Sequence, residues 1–141
     1  METAEFKKIV DEIVISNGMQ KRGSYYYLES KEIMVVLGLQ KSSYSSSYYF
    51  NLGYIIKDLN EKANPIYTDG NIRLRFDFDL NGKKTDIVDF NKVQNDKLIK
   101  ELERNIKYYV SPITSIEALK NLILEEPVLL YQTYTCYETI P

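Results

Sequence analysis

The chain has 141 residues, 18 basic against 20 acidic side chains, a formal net charge of -2, 44% hydrophobic and 27% charged residues. That length suits a single domain over 1–141, and the balanced charge supplies no basic field for backbone-driven binding, so no nucleic-acid partner is expected. With no His and one Cys, Cys136, the chain lacks the commonest general base, a multi-Cys zinc site and an intramolecular disulfide, and no cofactor is expected.

Residues 3 to 16 place Phe6, Ile9, Val10, Ile13 and Val14 at helical spacing, with Lys7, Lys8, Asp11 and Glu12 opposite, which predicts an amphipathic helix. Thr3 is expected to cap its start, and Asn17-Gly18 to end it. "YYYLES" and "EIMVVLGLQ" follow, aromatic and β-branched segments predicted as strands joined by a tight turn at about residues 29 to 32. The second is apolar on both faces through Met34, Val35, Val36 and Leu37, as a central strand would be. Gly38 and Gly53 lie inside strands, where glycine marks a bulge or a close backbone approach more often than a ligand site.

The stretch "SSYSSSYYFNLGYII" begins as a Ser/Tyr tract, yet Tyr48, Phe50, Leu52, Tyr54 and Ile56 alternate with Ser47, Tyr49, Asn51 and Gly53. Period two predicts a half-buried strand over 47–56 with a core face on the even positions, and leaves only Ser42 to Ser46 for a loop. In "NIRLRFDFDLNGKKTDIVDF", Ile72, Leu74, Phe76, Phe78 and Leu80 alternate with Arg73, Arg75, Asp77 and Asp79, and Asn81-Gly82 then supplies a type I′ hairpin turn. Counting outward pairs Asp79 with Lys84, Phe78 with Thr85, Asp77 with Asp86, Phe76 with Ile87 and Arg75 with Val88, with Arg75 diagonal to Asp86.

Helical spacing returns over Asn95 to Tyr109, with Leu98, Ile99, Leu102, Ile106 and Tyr109 apolar and Lys100, Glu101, Glu103, Arg104 and Lys107 polar. A second helix follows in "SPITSIEALKNLILEEP", where Thr114 and Glu117 have capping-box spacing and Pro127 bounds the far end. The tail "VLLYQTYTCYETIP", 128–141, is rich in strand formers and is expected at a sheet edge. A helix, consecutive strands and then two helices indicate α+β: an antiparallel sheet of about four to six strands with helices on one face.

Asp77, Asp79, Asn81 and Gly82 have the spacing that opens a calcium-binding EF-hand loop, but its closing Glu position holds Val88 and no helix precedes it, so a hairpin accounts for them and no metal site is expected. Ser and Thr hydroxyls have no His to activate them, although a Ser-Lys pair stays open. "KRGSYYY" mixes basic and aromatic residues as single-strand binders do, and is read as a loop entering a strand. If Phe50 and Phe76 face the helices, Tyr49, Asn51, Arg73, Arg75, Asp77 and Asp79 face the other way, beside Met34, Val36 and Gln40. Tyr and Arg are enriched at energetically important interface positions, so this is the candidate partner-binding face; the plainer reading is a solvated surface with cross-strand ion pairs.

The ordered residues "SNGMQKRGSYYYL", "LGLQKS", "YYFNLGYII", "IRLRF" and "YYVSPITSIEALKNLI" resemble the bacterial domain-of-unknown-function family 4304, from about residue 4 to residue 125. The most specific pieces are Leu39-Gln40, Asn51-Leu52-Gly53 and the arginines at 73 and 75, while "DIVDFNK" stands where a Trp-bearing segment is common. The resemblance implies a compact bacterial domain and carries no catalytic residues. "METAEFKKIVDE" is charged where a secretory signal needs an apolar run, so a cytoplasmic protein without a membrane partner is expected. The leading function is a non-enzymatic, immunity-like or regulatory module that binds a protein through the Tyr/Arg face. The competing one is a small-ligand site or His-independent enzyme using Asp, Arg and Tyr in a sheet–helix cleft; self-association is a third.

Overall fold

The computed structural model of the chain describes residues 1–43 and 45–132. Helix α1 (Thr3–Ser16) leads into strands β1 (Gln20–Arg22), β2 (Tyr25–Glu29), β3 (Ile33–Lys41) and β4 (Ser47–Ile56). A strap, residues 57–71, then carries two short 3-10 turns before β5 (Ile72–Arg75), β6 (Phe78–Leu80), β7 (Lys83–Thr85) and β8 (Ile87–Asp89). Helices α2 (Asn95–Tyr109) and α3 (Ile116–Glu125) follow, then a 3-10 segment, Pro127–Gln132. The fold is α+β, as the element order implies.

The sheet is antiparallel and six-stranded, in the order β1-β2-β3-β4-β5, with β8 also on β4. β5 pairs with the far half of β4, Asn51 to Tyr54, and β8 with its near half, Ser47 to Tyr49, so two strands lie end to end along one edge. β6 and β7 form a separate hairpin between them.

The parity of β4 holds residue by residue, but the strand is not half-buried: Ser47, Asn51, Gly53 and Ile55 on its other face are buried as well. Tyr48, Phe50, Leu52, Tyr54 and Ile56 join the core with Phe6, Val10 and Val14 of α1, Leu98, Leu102 and Ile106 of α2, and Leu119, Leu122 and Ile123 of α3. All three helices thus cover one side of the sheet. Phe50, Phe76 and Phe78 stand with ring centroids 5.0–6.5 Å apart, and Tyr54 donates from its hydroxyl to the Tyr109 carbonyl at 2.6 Å, tying the end of α2 to the sheet. Each such buried ring contributes about 2–3 kcal/mol of transfer free energy.

Five further expectations need correction. The hairpin keeps its turn, with φ of 56° at Asn81 and 76° at Gly82, and its pairs Phe78–Thr85 and Asp79–Lys84, but ends there. Phe76 instead donates its N–H to Phe50 O at 2.9 Å, and Ile87 and Val88 pair with Tyr49 and Tyr48. The pairs Asp77–Asp86, Phe76–Ile87 and Arg75–Val88 therefore do not form: the β4 edge offers both flanks a hydrophobic ladder, without opposing two carboxylates. β1 has no period to announce it, being three polar residues. The residue before α1 is Glu2, with no side-chain cap, so Thr3 does not cap the helix. On α3 the capping residue is Ser115 rather than Thr114; its hydroxyl accepts from Ala118 N at 3.1 Å, and Glu32 Oε1 accepts from Ile116 N at 3.2 Å. Finally, 128–132 is 3-10 rather than strand, with Leu129 in the core; the remaining tail, with Cys136, lies outside the described residues.

Candidate functional site

The face of the sheet turned away from the helices divides into two parts. In the first, Tyr27, Met34, Val36 and Ile55 form a small apolar cluster that the strap covers. Tyr27 donates from its hydroxyl to Pro65 O at 2.8 Å. Tyr67 lies over two missing side chains: a methyl at Gly38 would strike its ring, and one at Gly53 would strike its backbone. The close approach expected at these glycines is thus made by the strap. Lys57 Nζ to Glu29 Oε2 at 2.9 Å and Lys62 Nζ to Asp69 Oδ1 at 2.7 Å fasten it, and Asp69 Oδ2 accepts from Ile66 N at 2.9 Å. Hydrogen bonds from Lys57 and Arg22 lower the pKa of Glu29, and those from Lys62 and the Ile66 backbone lower that of Asp69.

The second part holds the residues expected at a binding face. Gln40 is opposite Tyr49 in the β3–β4 ladder, and Asn51 is opposite Arg75 in the β4–β5 ladder, so four residues from three strands converge. Arg75 Nε donates to Asn51 Oδ1 at 2.8 Å and Nη2 to Gln40 Oε1 at 3.3 Å, while Asn51 Nδ2 donates to the same Gln40 oxygen at 2.9 Å. The guanidinium carbon stands 4.0 Å from the Tyr49 ring centroid, the geometry of a cation–π contact. Asp86 Oδ2 lies 3.4 Å from Nη1, so the diagonal contact survives the change of register.

Two expected members fit less well. Arg73 is two pairs along, opposite Gly53, on the same face. Asp77 is not in the cluster. Its carbonyl, left without a ladder partner where β5 gives way to β6, accepts from Arg104 Nη2 and Asn105 Nδ2, both at 2.9 Å, on the helix side. Met34 and Val36 share the face but lie beneath the strap.

Sequence reasoning missed Glu101. It is 6% exposed, accepts from Asp79 N at 2.7 Å and pairs with Arg104 at 2.8 Å, whose hydrogen bond lowers its pKa. The signal was present: Glu101 falls between Leu98 and Leu102 and Asn105 on the buried stripe of α2. These side chains dock the hairpin and replace strand partners. Other shifted groups are also structural. Burial and a hydrogen bond to Asp11 raise Tyr26, and burial beside Glu126 pushes Tyr109 up to about 12.

No group of acidic and Cys side chains able to hold a metal occurs among the described residues, and no described helix is long and apolar enough to cross a membrane. A cleft of about 150 Å³ lies apart from the Arg75 cluster, between the hairpin tip, β8 and the start of α2, lined by Leu80, Ile87, Val93, Lys92 and Lys97 among others. Compared with known families, residues 10–116 match the model of a domain of unknown function, DUF4304. No curated protein and no solved structure matches the chain.

Proposed function

The chain belongs to the DUF4304 family, and from that premise we propose that it is a non-enzymatic protein-binding module, immunity-like or regulatory, whose contact surface is the open part of the outer face. One observation carries the reading. Arg75 is held over the Tyr49 ring and by Asn51 and Gln40 while 40% of its side chain stays exposed. Arg and Tyr dominate binding energy at protein interfaces, and a side chain already immobilised loses little rotamer entropy on association.

The competing reading, a ligand or reaction site between sheet and helices, needs polar groups converging there. Phe6, Phe50, Phe76 and Phe78, each 0% exposed, fill the middle of that layer; the buried polar side chains Glu101 and Asn105 are taken up in docking the hairpin, and the cleft beside the hairpin tip, about 150 Å³, is small for a ligand site. The expected cytoplasmic, bacterial setting suits a module of this kind.

The test compares the full chain with a Tyr49→Ala, Arg75→Ala double variant as bait in cell lysate. The variant should keep its circular dichroism spectrum and lose the captured partner. An unchanged captured set would remove the outer face from consideration.

A further inference from the structure

The hydrogen bonds around Arg75 also fix which atoms the cluster shows to solvent. An amide side chain can present either oxygen or nitrogen, but a guanidinium only donates, so Arg75 settles both orientations. Asn51 Oδ1 must lie on Nε and Gln40 Oε1 on Nη2, and the same Gln40 oxygen takes the Asn51 Nδ2 donor. Both amide oxygens are therefore turned inward.

What remains outward is donors. Gln40 Nε2 has no hydrogen-bond partner among the described residues, and a guanidinium with five N–H groups keeps donors beyond the three it uses here. The acceptor at the rim is the Asp86 carboxylate, 3.4 Å from Nη1 and 47% exposed, a long pair between exposed groups and so a weak one.

Resting on the protein-binding reading above, we infer that the partner presents a carboxylate, the Asp or Glu side chain of an acidic segment, to Arg75 and Gln40. It takes the place of Asp86 on Nη1 and accepts from the Gln40 amide. The planar fork matches a carboxylate's two oxygens, and Tyr49 holds that fork in place. A donor-bearing partner would leave these groups buried and unpaired, which costs more than a hydrogen bond contributes. Single-stranded nucleic acid is also acceptor-rich and stacks on Tyr and Arg, but a phosphate strand is held by several cations along its path, whereas this cluster offers one guanidinium, enough for a single carboxylate.

The isotopically labelled full chain is titrated with a capped Glu-containing peptide, with its Gln-for-Glu counterpart and with a short oligothymidylate. The Glu peptide should shift the Gln40 side-chain amide and Arg75 Nε resonances, and the other two should not. Gln40→Glu keeps the acceptor that Arg75 and Asn51 need, so the fold persists, yet affinity should fall roughly tenfold; Asp86→Asn should raise it about two- to threefold. Equal response to the Glu and Gln peptides, no response to either, or preference for the oligonucleotide overturns the inference. If Gln40→Glu and Asp86→Asn leave lysate capture unchanged while the Tyr49, Arg75 double variant abolishes it, the carboxylate assignment fails and the binding surface stands. If the double variant also captures normally, the surface itself fails.

Discussion

The covered and open parts of the outer face sit on the same strands, a few ångströms apart, and differ in what replaces solvent. Around Gly38 and Gly53 the side chains are absent or apolar, and a loop backbone settles onto them. Around Asn51 and Arg75 the side chains satisfy one another, and no loop among the described residues lies over them. A sheet surface is thus closed by removing side chains and kept open by pairing them. Asn51 is only 7% exposed, but Gln40 and Arg75 cover it rather than the strap.

That contrast can be broken most forcefully at Gly53. A Cβ there would stand 2.9 Å from the Tyr67 Cα, against backbone that cannot rotate away. Gly53→Ala should cost about 2–3 kcal/mol in urea unfolding, and a loss below about 1 kcal/mol would mean that the strap gives way freely. At Gly38 the obstacles are the Tyr67 and Tyr25 rings, 2.5 and 2.9 Å from where a methyl carbon would stand, so Gly38→Ala should cost less, about 1–2 kcal/mol. A Tyr67→Ala background should relieve the Gly38 defect and leave the Gly53 defect unrelieved, a difference in coupling of roughly 1 kcal/mol by double-mutant cycle.

The open part should respond oppositely. Arg75→Ala should lower stability by less than about 1 kcal/mol, because its contacts are exposed, and should weaken partner binding at least tenfold. A large stability loss with intact binding would make the cluster a structural device. The smallest effect concerns acid. Glu29 and Asp69 have lowered folded-state pKa values, so their contribution is present above the ordinary carboxylate range and is lost as pH falls through the depressed values. Amide exchange at Ile66 and Gly70 should therefore accelerate below about pH 4 before exchange at Asn51 and Arg75 does. Simultaneous acceleration would show that the two parts open together.

How much of this was legible follows from what has a period. α1, α2 and α3 each bury one face against the sheet, and β4 alternates between the helix layer and the outer face, so 2.0- and 3.6-residue spacings gave them away, and Tyr49 and Asn51 were placed opposite Phe50 by parity. The strap has no period because it sets single residues, buried Pro65 and half-buried Tyr67, against gaps other strands leave; only the two glycines hinted at it. The break at Asp77 was illegible for a different reason: 72–80 alternates throughout, and what ends β5 is a long-range competition between β4 and α2 for its backbone groups. Of the candidate site, membership was readable, while the inward turn of both amide oxygens depended on distances that no spacing contains.

The end-to-end arrangement of β5 and β8 on β4 has a consequence for how this chain can vary. Phe76 and Ile87 are fixed to the sheet, and the β6–β7 hairpin is an excursion between them, anchored near its base by Phe78 and Glu101. Residues added at Asn81-Gly82 lengthen the excursion without altering any pair on β4, so this turn is where the fold accepts an insertion, an epitope or a reporter while the register of the central sheet is preserved.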